Sequence, residues 1–320
     1  MLVSYVGFSA FRGTFEVGTS VVIAACSSLI SIFLDPILIH VFKFGVNGAA
    51  IATLCAEWVS AITYLILMKK RNLIRWSKVW KLPSFDTLAP LVKGGLALQV
   101  RSFSLNLAFL MVAKKIQALD NTGVSAAAHA LTMQINMLGG IALGALSMVA
   151  QTLIPGVLVE RHDDSQARTV GGNIEAKRTV KRLYVWGFSL GLAIGLFQLV
   201  TMPTIMKSSP LQEVRDAAKF PALLGSSFQA VGGIVNVGEG VMMGSGSFFQ
   251  LSLNVVVATI AFILSLNIFP QRFGLTGVWI GMAVFSLVRL AGVLIYQHIN
   301  GPLVYRRSRT KLAIPQDGPR

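Results

Sequence analysis

The sequence predicts an all-α integral membrane protein, a polytopic bundle of eight helices that each cross the bilayer. Of the 320 residues, 54% are hydrophobic and only 13% are charged, whereas about a quarter of the residues in a soluble globular domain are charged. The mean hydropathy is +0.67. A chain this apolar is not disordered, and its two cysteines, Cys26 and Cys55, lie in apolar stretches rather than in a disulfide scaffold.

Eight apolar runs are long enough to cross a membrane, because a helix needs roughly 20 residues to span a hydrocarbon core of about 30 Å. They cover residues 19–42, 46–68, 88–113, 126–153, 183–206, 220–244, 248–269 and 275–297. A short apolar stretch, residues 1–10, precedes them. It lacks the basic start and the cleavage site of a signal peptide, so we expect it to be the end of a helix that begins upstream.

The basic residues indicate which loops face the cytoplasm. Most of the 28 lysines and arginines fall in alternate loops, at Arg12, in segments 69–87 and 159–182, and after residue 300. The positive-inside rule places these loops and the C-terminus on the cytoplasmic side or its equivalent. The net charge of +15 then reflects topology, so no nucleic-acid partner is expected. Segment 159–182 is also a candidate contact for anionic membrane lipid.

Two segments 229 positions apart resemble each other, and each opens a predicted span. Residues 44–52 (FGVNGAAIA) and 273–281 (FGLTGVWIG) share four of nine residues. This match predicts a six-helix lobe that is repeated in parallel sense. The predicted domains are the end of one lobe (1–72), a cytoplasmic linker (73–87), a complete six-helix lobe (88–300) and a basic cytoplasmic tail (301–320). Nearly four helices of the first lobe are expected upstream of residue 1.

Several motifs resemble the multidrug and toxic compound extrusion (MATE) family. They are Leu34-Asp35-Pro36 with residues 44–53 (family helices five and six), residues 126–151 (helix eight) and Gly238-Glu239-Gly240 (helix ten). Lys93 and Arg101 resemble the DinF-like branch. The resemblance implies family helices five to twelve of an architecture with two lobes of six helices each. It therefore implies a chain that is truncated at its N-terminus.

The resemblance also implies a function, the secondary active export of a small organic solute, either an organic acid or a xenobiotic. Export would be an antiport coupled to protons or sodium ions, by alternating access of the two lobes. Two alternatives stay open, a lipid-linked flippase of the same superfamily and a truncated chain with an inactive or regulatory role. No enzyme activity and no cofactor besides the coupling ion are expected. The sequence does not distinguish the plasma membrane from a plastid or vacuole membrane.

Carboxylates within the predicted spans are candidates for binding the coupling ion. On insertion scales, a charge at the centre of the bilayer costs roughly 2.5 to 3.5 kcal/mol, so it needs a cavity or a partner. Glu239, Glu57 and Asp35 are predicted to couple the ion, because a desolvated carboxylate can exchange a proton. A fixed salt bridge is the alternative for Glu239, and a role in pinning a kinked helix before Pro36 is the alternative for Asp35.

The remaining candidates are cations and amides. Arg101 is predicted to bind an anionic solute, and Arg289 lies equally deep and needs a partner. Four amides near mid-depth are predicted to bind solute, although interhelical hydrogen bonds of about 0.6 kcal/mol explain each of them as well: Asn106, Gln134, Asn136 and Asn236. Gly187, Gly191 and Gly195 share one helical face and predict close helix packing. The four histidines have no metal-ligand spacing, so no metal site is expected.

Overall fold

The computed structural model describes residues 2–14, 16–74, 84–159, 166–207 and 209–299. Every regular element in these ranges is helical. The chain divides into two compact units, Met1–Ala89 and Pro90–Arg320. Most of the predicted linker 73–87 and the whole predicted tail 301–320 lie outside the described residues.

The first unit contains three helices, and an additional helix begins at its end. The three helices are α1 (Leu2–Gly13), α2 (Val17–Pro36) and α3 (Gly45–Lys70). The buried core between them consists of Phe11, Ile23, Tyr64 and Met68. A π-helical turn, Ile37–Val41, directly follows α2. Pro36 has no backbone N–H, so the regular hydrogen-bond ladder is interrupted at the point where this turn starts.

The second unit is built around one short central helix. Its helices are α4 (Phe85–Gln117), α5 (Val124–Val159), α6 (Gln166–Met206), α7 (Gln212–Ser227), α8 (Gln229–Gly244) and α9 (Phe248–Ile299). Helix α8 packs against α5, α6 and α9. Nine of its residues are buried, including Glu239. A core on the other side of the unit surrounds the buried ring of Trp279.

Helix α9 folds back on itself. Its 52 residues would extend about 78 Å at 1.5 Å per residue, more than twice the thickness of the hydrocarbon core. The backbone breaks at Gly274, with φ 53° and ψ −131°. The side chain of Asn254 on the first arm donates a hydrogen bond of 3.1 Å to the carbonyl oxygen of Arg289 on the second. The two arms are therefore antiparallel neighbours, and they coincide with the predicted spans 248–269 and 275–297.

The sequence repeat corresponds to two hairpins with matching backbone geometry. Gly45 and Gly274 occupy the same position in the repeat, and their φ angles are 55° and 53°. Gly48 and Gly277 also correspond. A Cβ atom would lie 2.9 Å from the carbonyl oxygen of Leu38 at Gly48, and 2.4 Å from that of Phe269 at Gly277. The shared glycines thus permit the same left-handed turn and the same close backbone approach twice.

The predicted span 220–244 differs from the structure, which divides it between α7 and α8. The two helices meet at Phe228 and are bent by 46°. Gly225, Ser226 and Ser227 come directly before the bend, and small residues of this kind are common at helix kinks. A neighbouring helix fixes both sides of the bend, because Gly195 lies against Ser226 and Gly191 against Gln229.

The described helices have the length and surface of membrane spans. Six are long and apolar enough to cross a bilayer, and the bent pair α7 and α8 is a seventh if it counts as one span. Large apolar side chains are exposed on their outer surfaces, for example Ile141 (72% exposed) and Val200 (78%). Such a surface is incompatible with water and compatible with lipid.

The glycines of α6 lie where the helices are closest, as the sequence predicted. A Cβ atom would lie 2.8 Å from the carbonyl oxygen of Gly233 at Gly187, 2.4 Å from that of Gln229 at Gly191, and 2.5 Å from that of Ser226 at Gly195. Glycine at these positions allows α6 to touch the backbone of α7 and α8.

Replacing Gly191 by alanine should destabilise the second unit by about 1 to 3 kcal/mol, because the added methyl group overpacks a backbone contact. The matched control is Gly95→Ala, since a Cβ atom at Gly95 meets no atom within 4 Å and alanine is the better helix former. Thermal unfolding in detergent should show a lower midpoint for Gly191→Ala alone. Equal midpoints for the two variants would contradict this account of the packing.

Asp120 lies in the loop before α5 and caps that helix. Its carboxylate accepts hydrogen bonds from the backbone N–H groups of Gly123 (2.7 Å) and Ser125 (3.0 Å) and from the hydroxyl of Thr122 (2.9 Å). Hydrogen bonds from the hydroxyl and backbone N–H of Ser125, and then from Thr122, lower the pKa of Asp120 to about 2. The ionised carboxylate thereby satisfies donors that the first turn of a helix leaves unpaired.

Replacing Asp120 by alanine should loosen the first turn of α5. Because the folded pKa is lowered to about 2, the capping contribution is fully present above the unfolded pKa of about 3.9 and is lost as the pH falls through the folded value. Amide exchange at Ser125, corrected for intrinsic rates, should be slow in the parent chain at neutral pH and still slow at about pH 5, and faster in the variant at both. Identical protection in parent and variant would rule out this capping role.

Candidate functional site

Glu239 is the central residue of the candidate site and is only 3% exposed. The glycines beside it allow this burial. A Cβ atom at Gly238 would lie 2.0 Å from Cγ1 of Val293 on α9, and one at Gly240 would lie 2.4 Å from the carbonyl oxygen of Ser147 on α5. Larger residues would push α8 away from both neighbours. The two glycines therefore let the helix that carries Glu239 lie in the interior of the unit.

Two arginines bind the carboxylate of Glu239. Arg101 on α4 donates from Nη2 to Oε2 at 2.6 Å. Arg289 on α9 donates to Oε1 from Nε at 2.8 Å and from Nη2 at 2.6 Å. This arrangement is the fixed salt bridge that the sequence analysis kept as an alternative, with a second arginine added. The three groups together carry one net positive charge.

A cavity of about 290 Å³ lies beside Arg289 in the second unit. Its apolar wall includes Phe109, Met133, Leu143, Phe228, Trp279 and Phe285. Its polar lining consists of Asn136, Gln229, Asn236, Ser286 and Arg289. The guanidinium carbon of Arg289 also lies 5.3 Å from the centre of the Phe285 ring, which orients the cation. An apolar cavity with a few polar groups and one cation is typical of a small-molecule site.

Two of the four predicted amides line this cavity. Asn136 accepts a hydrogen bond at Oδ1 from Gln229, at 3.0 Å. Asn236 donates from Nδ2 to the carbonyl oxygen of Gly232, at 2.8 Å. These bonds use one end of each amide, so a solute can contact the Nδ2 of Asn136 and the Oδ1 of Asn236.

The other two predicted amides lie elsewhere. Asn106 and Gln134 are exposed, and neither is among the residues that line the cavity. Sequence depth alone did not distinguish the two pairs, because depth fixes the level of a residue along a helix and not the face on which it lies.

The remaining predicted carboxylates belong to the first unit. Glu57 on α3 accepts a hydrogen bond from Ser4 on α1, at 3.1 Å. Asp35 is half-buried, and its Oδ1 is buried with no hydrogen-bond partner among the described residues. Ser27 bonds to the carbonyl of Ala56, so Glu57 lies level with the middle of α2, about two helical turns from Asp35. The structure does not bring these two carboxylates together.

Sequence reasoning left Arg289 and Gln229 out of the predicted site. The depth of Arg289 in its span was the available signal, and its partner proved to be the same carboxylate that Arg101 binds. Gln229 lies at the bend between α7 and α8, which the sequence did not reveal. The described residues contain no group of three histidine, cysteine or acidic side chains placed to hold a metal ion.

Comparison with known proteins identifies similar sequences, although no protein-family model matches the chain. The chain is 27% identical over 285 residues to Protein DETOXIFICATION 45, chloroplastic, of Arabidopsis thaliana, a match that covers 88% of this chain and 47% of that protein. It is 24% identical over 292 residues to Protein DETOXIFICATION 44, chloroplastic, of the same plant (91% and 53%). It is 22% identical over 297 residues to the probable multidrug resistance protein NorM of Thermotoga maritima (88% and 60%). The chain thus spans about half the length of the curated relatives it matches.

Solved structures share the fold. The Vibrio cholerae MATE transporter VcmN matches with a TM-score of 0.78 and 20% identity, over 92% of this chain and 65% of that one. A MOP superfamily transporter from Pyrococcus furiosus matches with a TM-score of 0.73 and 20% identity, over 91% and 64%. The chain shares the helical fold of solved MATE transporters, and its long apolar helices are those of a multi-pass integral membrane protein. Its resemblance to the MATE family is confirmed.

Replacing Glu239 by glutamine should destabilise the second unit by at most about 3 to 5 kcal/mol, because it leaves two partly exposed guanidinium groups (21% and 17%) without a counter-charge. Arg289→Gln should cost less, since Arg101 and Glu239 still form a neutral pair. The double variant Glu239→Gln/Arg289→Gln should be more stable than Glu239→Gln alone. Thermal unfolding of the three variants forms a double-mutant cycle, and additive losses would show that the charges are not coupled.

Proposed function

We propose that the protein acts as a secondary active exporter of a small organic solute, by antiport with protons or sodium ions. The observation that carries this proposal is the pair of arginines on one buried carboxylate beside a cavity within the membrane-spanning unit. Ionisable groups at membrane depth are costly and typically mark the route of a solute or ion. The matched DETOXIFICATION and NorM proteins agree with this class, and they do not favour a lipid-linked flippase.

The solute is proposed to be an organic anion, such as a carboxylic acid or a phenolic acid. Arg101, Arg289 and Glu239 leave one net positive charge, which attracts an anion strongly in a low-dielectric site. Arg289 lines the cavity and can bind a carboxylate through two parallel hydrogen bonds. Asn136 and Asn236 would contact polar groups of the same solute, while the aromatic wall would pack against its apolar part.

Ion coupling is proposed to involve Glu239. While the solute anion is bound to Arg289, Glu239 stays paired with Arg101. After the anion leaves to the outer side, a proton or sodium ion from that same side neutralises Glu239, and the arginines are released from it. Antiport requires that the site holds either the anion or the coupling ion, and never both at once. Charge alone does not enforce this rule, because an anion can also bind while Glu239 is protonated. Glu57 and Asp35 are proposed as further ion-binding groups of the first unit.

The finer architecture is part of the same proposal. Counting both arms of α9 as spans, and the pair α7 and α8 as one, gives the eight predicted spans. In a two-lobe transporter of the DinF-like branch, the helices described would be family helices five to twelve. The predicted linker would join the two lobes. The membrane would be the plasma membrane or that of a plastid or vacuole.

Membrane lipid is proposed as a second partner, at the basic end of α6. Lys177, Arg178, Lys181 and Arg182 are all exposed. The opposite face of the same turns, formed by Ala176, Val180 and Leu183, is buried. Two pairs of cations one turn apart on a lipid-facing helix suit anionic headgroups at the cytoplasmic surface.

The test is uptake of radiolabelled citrate by liposomes that contain the 320-residue chain, under an imposed pH gradient. Antiport predicts uptake when the vesicle lumen is acidic, because protons leave as citrate enters. Cotransport would instead require an acidic exterior, and such a result would contradict the proposed antiport. Sodium gradients are imposed in parallel at equal pH.

The variants separate solute binding from ion coupling. Arg289→Gln should reduce citrate uptake at least about tenfold, because a charge-assisted hydrogen-bond pair is worth roughly 1.5 to 3 kcal/mol. Glu239→Gln should abolish the dependence of uptake on the gradient. Asp216→Asn is the matched control, since Asp216 is an exposed acid paired with Lys219, and it should leave uptake unchanged.

A further inference from the structure

We propose that Tyr184, Gln297 and Tyr296, with Ser245 and Ser247, form a proton relay that connects Glu239 with the inner end of the helices. The inference deepens the proposed function and rests on the coupling role of Glu239 in it. All five residues lie at the ends of α6, α8 and α9 that share the side of the basic residues Lys181 and Arg182. The positive-inside rule makes this the cytoplasmic side.

The relay begins with a cluster of hydroxyl groups at the end of α8. Tyr296 Oη lies 3.0 Å from Ser245 Oγ and 2.5 Å from Ser247 Oγ. Both serines are half-buried, while Tyr296 is only 6% exposed. The three hydroxyls therefore lead from the accessible end of the helix into the interior, and each can both donate and accept a hydrogen bond.

The next residues are buried polar groups without partners. Gln297 follows Tyr296 in the chain and is 1% exposed, and neither end of its amide has a hydrogen-bond partner among the described residues. The hydroxyl of Tyr184 on α6 is also buried without a partner, and the Gln297 side chain lies next to it. Unpaired buried polar groups are rare in proteins and are usually satisfied by an ordered water molecule. A water bonded to both amide atoms of Gln297 and to the Tyr184 hydroxyl would join these two residues, and Gln297 directly follows Tyr296 in the chain.

Gly238 leaves space for the Tyr184 hydroxyl beside α8, at the end of the relay that is nearest to Glu239. A Cβ atom at Gly238 would lie 2.7 Å from the hydroxyl oxygen of Tyr184, so only glycine leaves space for that hydroxyl beside α8. Residue 238 directly precedes Glu239. The first glycine of the Gly238-Glu239-Gly240 motif thus lets the Tyr184 hydroxyl lie against the residue that directly precedes Glu239.

The hydroxyls and the water pass protons on without keeping a charge, and the amide of Gln297 holds the water by hydrogen bonds without taking up a proton itself. The Tyr184 hydroxyl accepts a proton on one side as it gives its own proton to the other, and it is neutral before and after the transfer. Glu239 is the end of the relay. During export its proton leaves along the relay to the cytoplasm, and proton uptake along the relay is the reverse of the same path. The charged groups that bind it are Arg101 from α4 and Arg289 from α9, and the α5 atoms nearest to this turn belong to the neutral residues Ser147 and Ala150. The route from the cytoplasm therefore approaches Glu239 from the side of α6, away from the two guanidinium groups.

The test measures how fast Glu239 takes up a proton in the 320-residue chain in liposomes. After a rapid drop in pH, infrared difference spectroscopy follows the C=O band of a protonated carboxyl group, which Glu239→Gln assigns by removing it. Tyr184→Phe should slow the appearance of this band on the order of a hundredfold, the lower end of what a positioned proton-transfer group contributes. Its final amplitude should not change, because a relay alters the rate and not the equilibrium.

Further variants make each outcome decisive. Tyr296→Phe should slow the band as well, which keeps the test valid if Tyr184→Phe does not fold. Tyr64→Phe, which alters a buried tyrosine of the first unit, is the matched control and should leave the rate unchanged. A band with parental kinetics in both relay variants would overturn the relay and leave the coupling role of Glu239 intact. If the parent chain shows no band that Glu239→Gln removes, the coupling role fails and the relay fails with it.

Discussion

Burial of a single carboxylate in an apolar bundle imposes most of the other contacts in the second unit. A charge at this depth must be compensated, and in this structure a different arginine binds each oxygen of Glu239. Arg101 and Arg289 approach from helices far apart in sequence, so α4, α8 and the second arm of α9 must meet at one point. Two guanidinium groups outweigh one carboxylate, so the cluster keeps one net positive charge. This charge makes the neighbouring cavity favourable for an anion.

Close helix packing is the second requirement, because α8 must lie deep inside the unit to bring its carboxylate there. Glycines on α6 and α8 remove the side chains that would keep these backbones apart. The same residue type serves a different purpose at the two hairpins, where Gly45 and Gly274 adopt a left-handed backbone. Glycine thus sets both where the helices reverse and how closely they pack afterwards.

The helices, the repeat and the glycine stripe could be predicted from the sequence because each depends on local pattern. High hydropathy over about twenty residues predicts a membrane span. The four-residue spacing of Gly187, Gly191 and Gly195 places them on one helical face. The bend at Phe228 could not be predicted in this way, since contacts of Gly191 and Gly195 with another helix fix it. For the same reason, depth identified Glu239, Arg101 and Arg289 as residues that need partners but did not show that they pair with each other.

The excess charge of the Arg101, Glu239 and Arg289 cluster has an electrical consequence. A transmembrane potential acts on each elementary charge with about 2.3 kcal/mol per 100 mV. In the proposed antiport cycle the empty site returns with a proton or sodium ion on Glu239, so it carries two positive charges and feels the membrane voltage whenever it moves through the field. A site that holds a singly charged anion is neutral and does not. The voltage would then bias the return of the empty carrier rather than the passage of the loaded one.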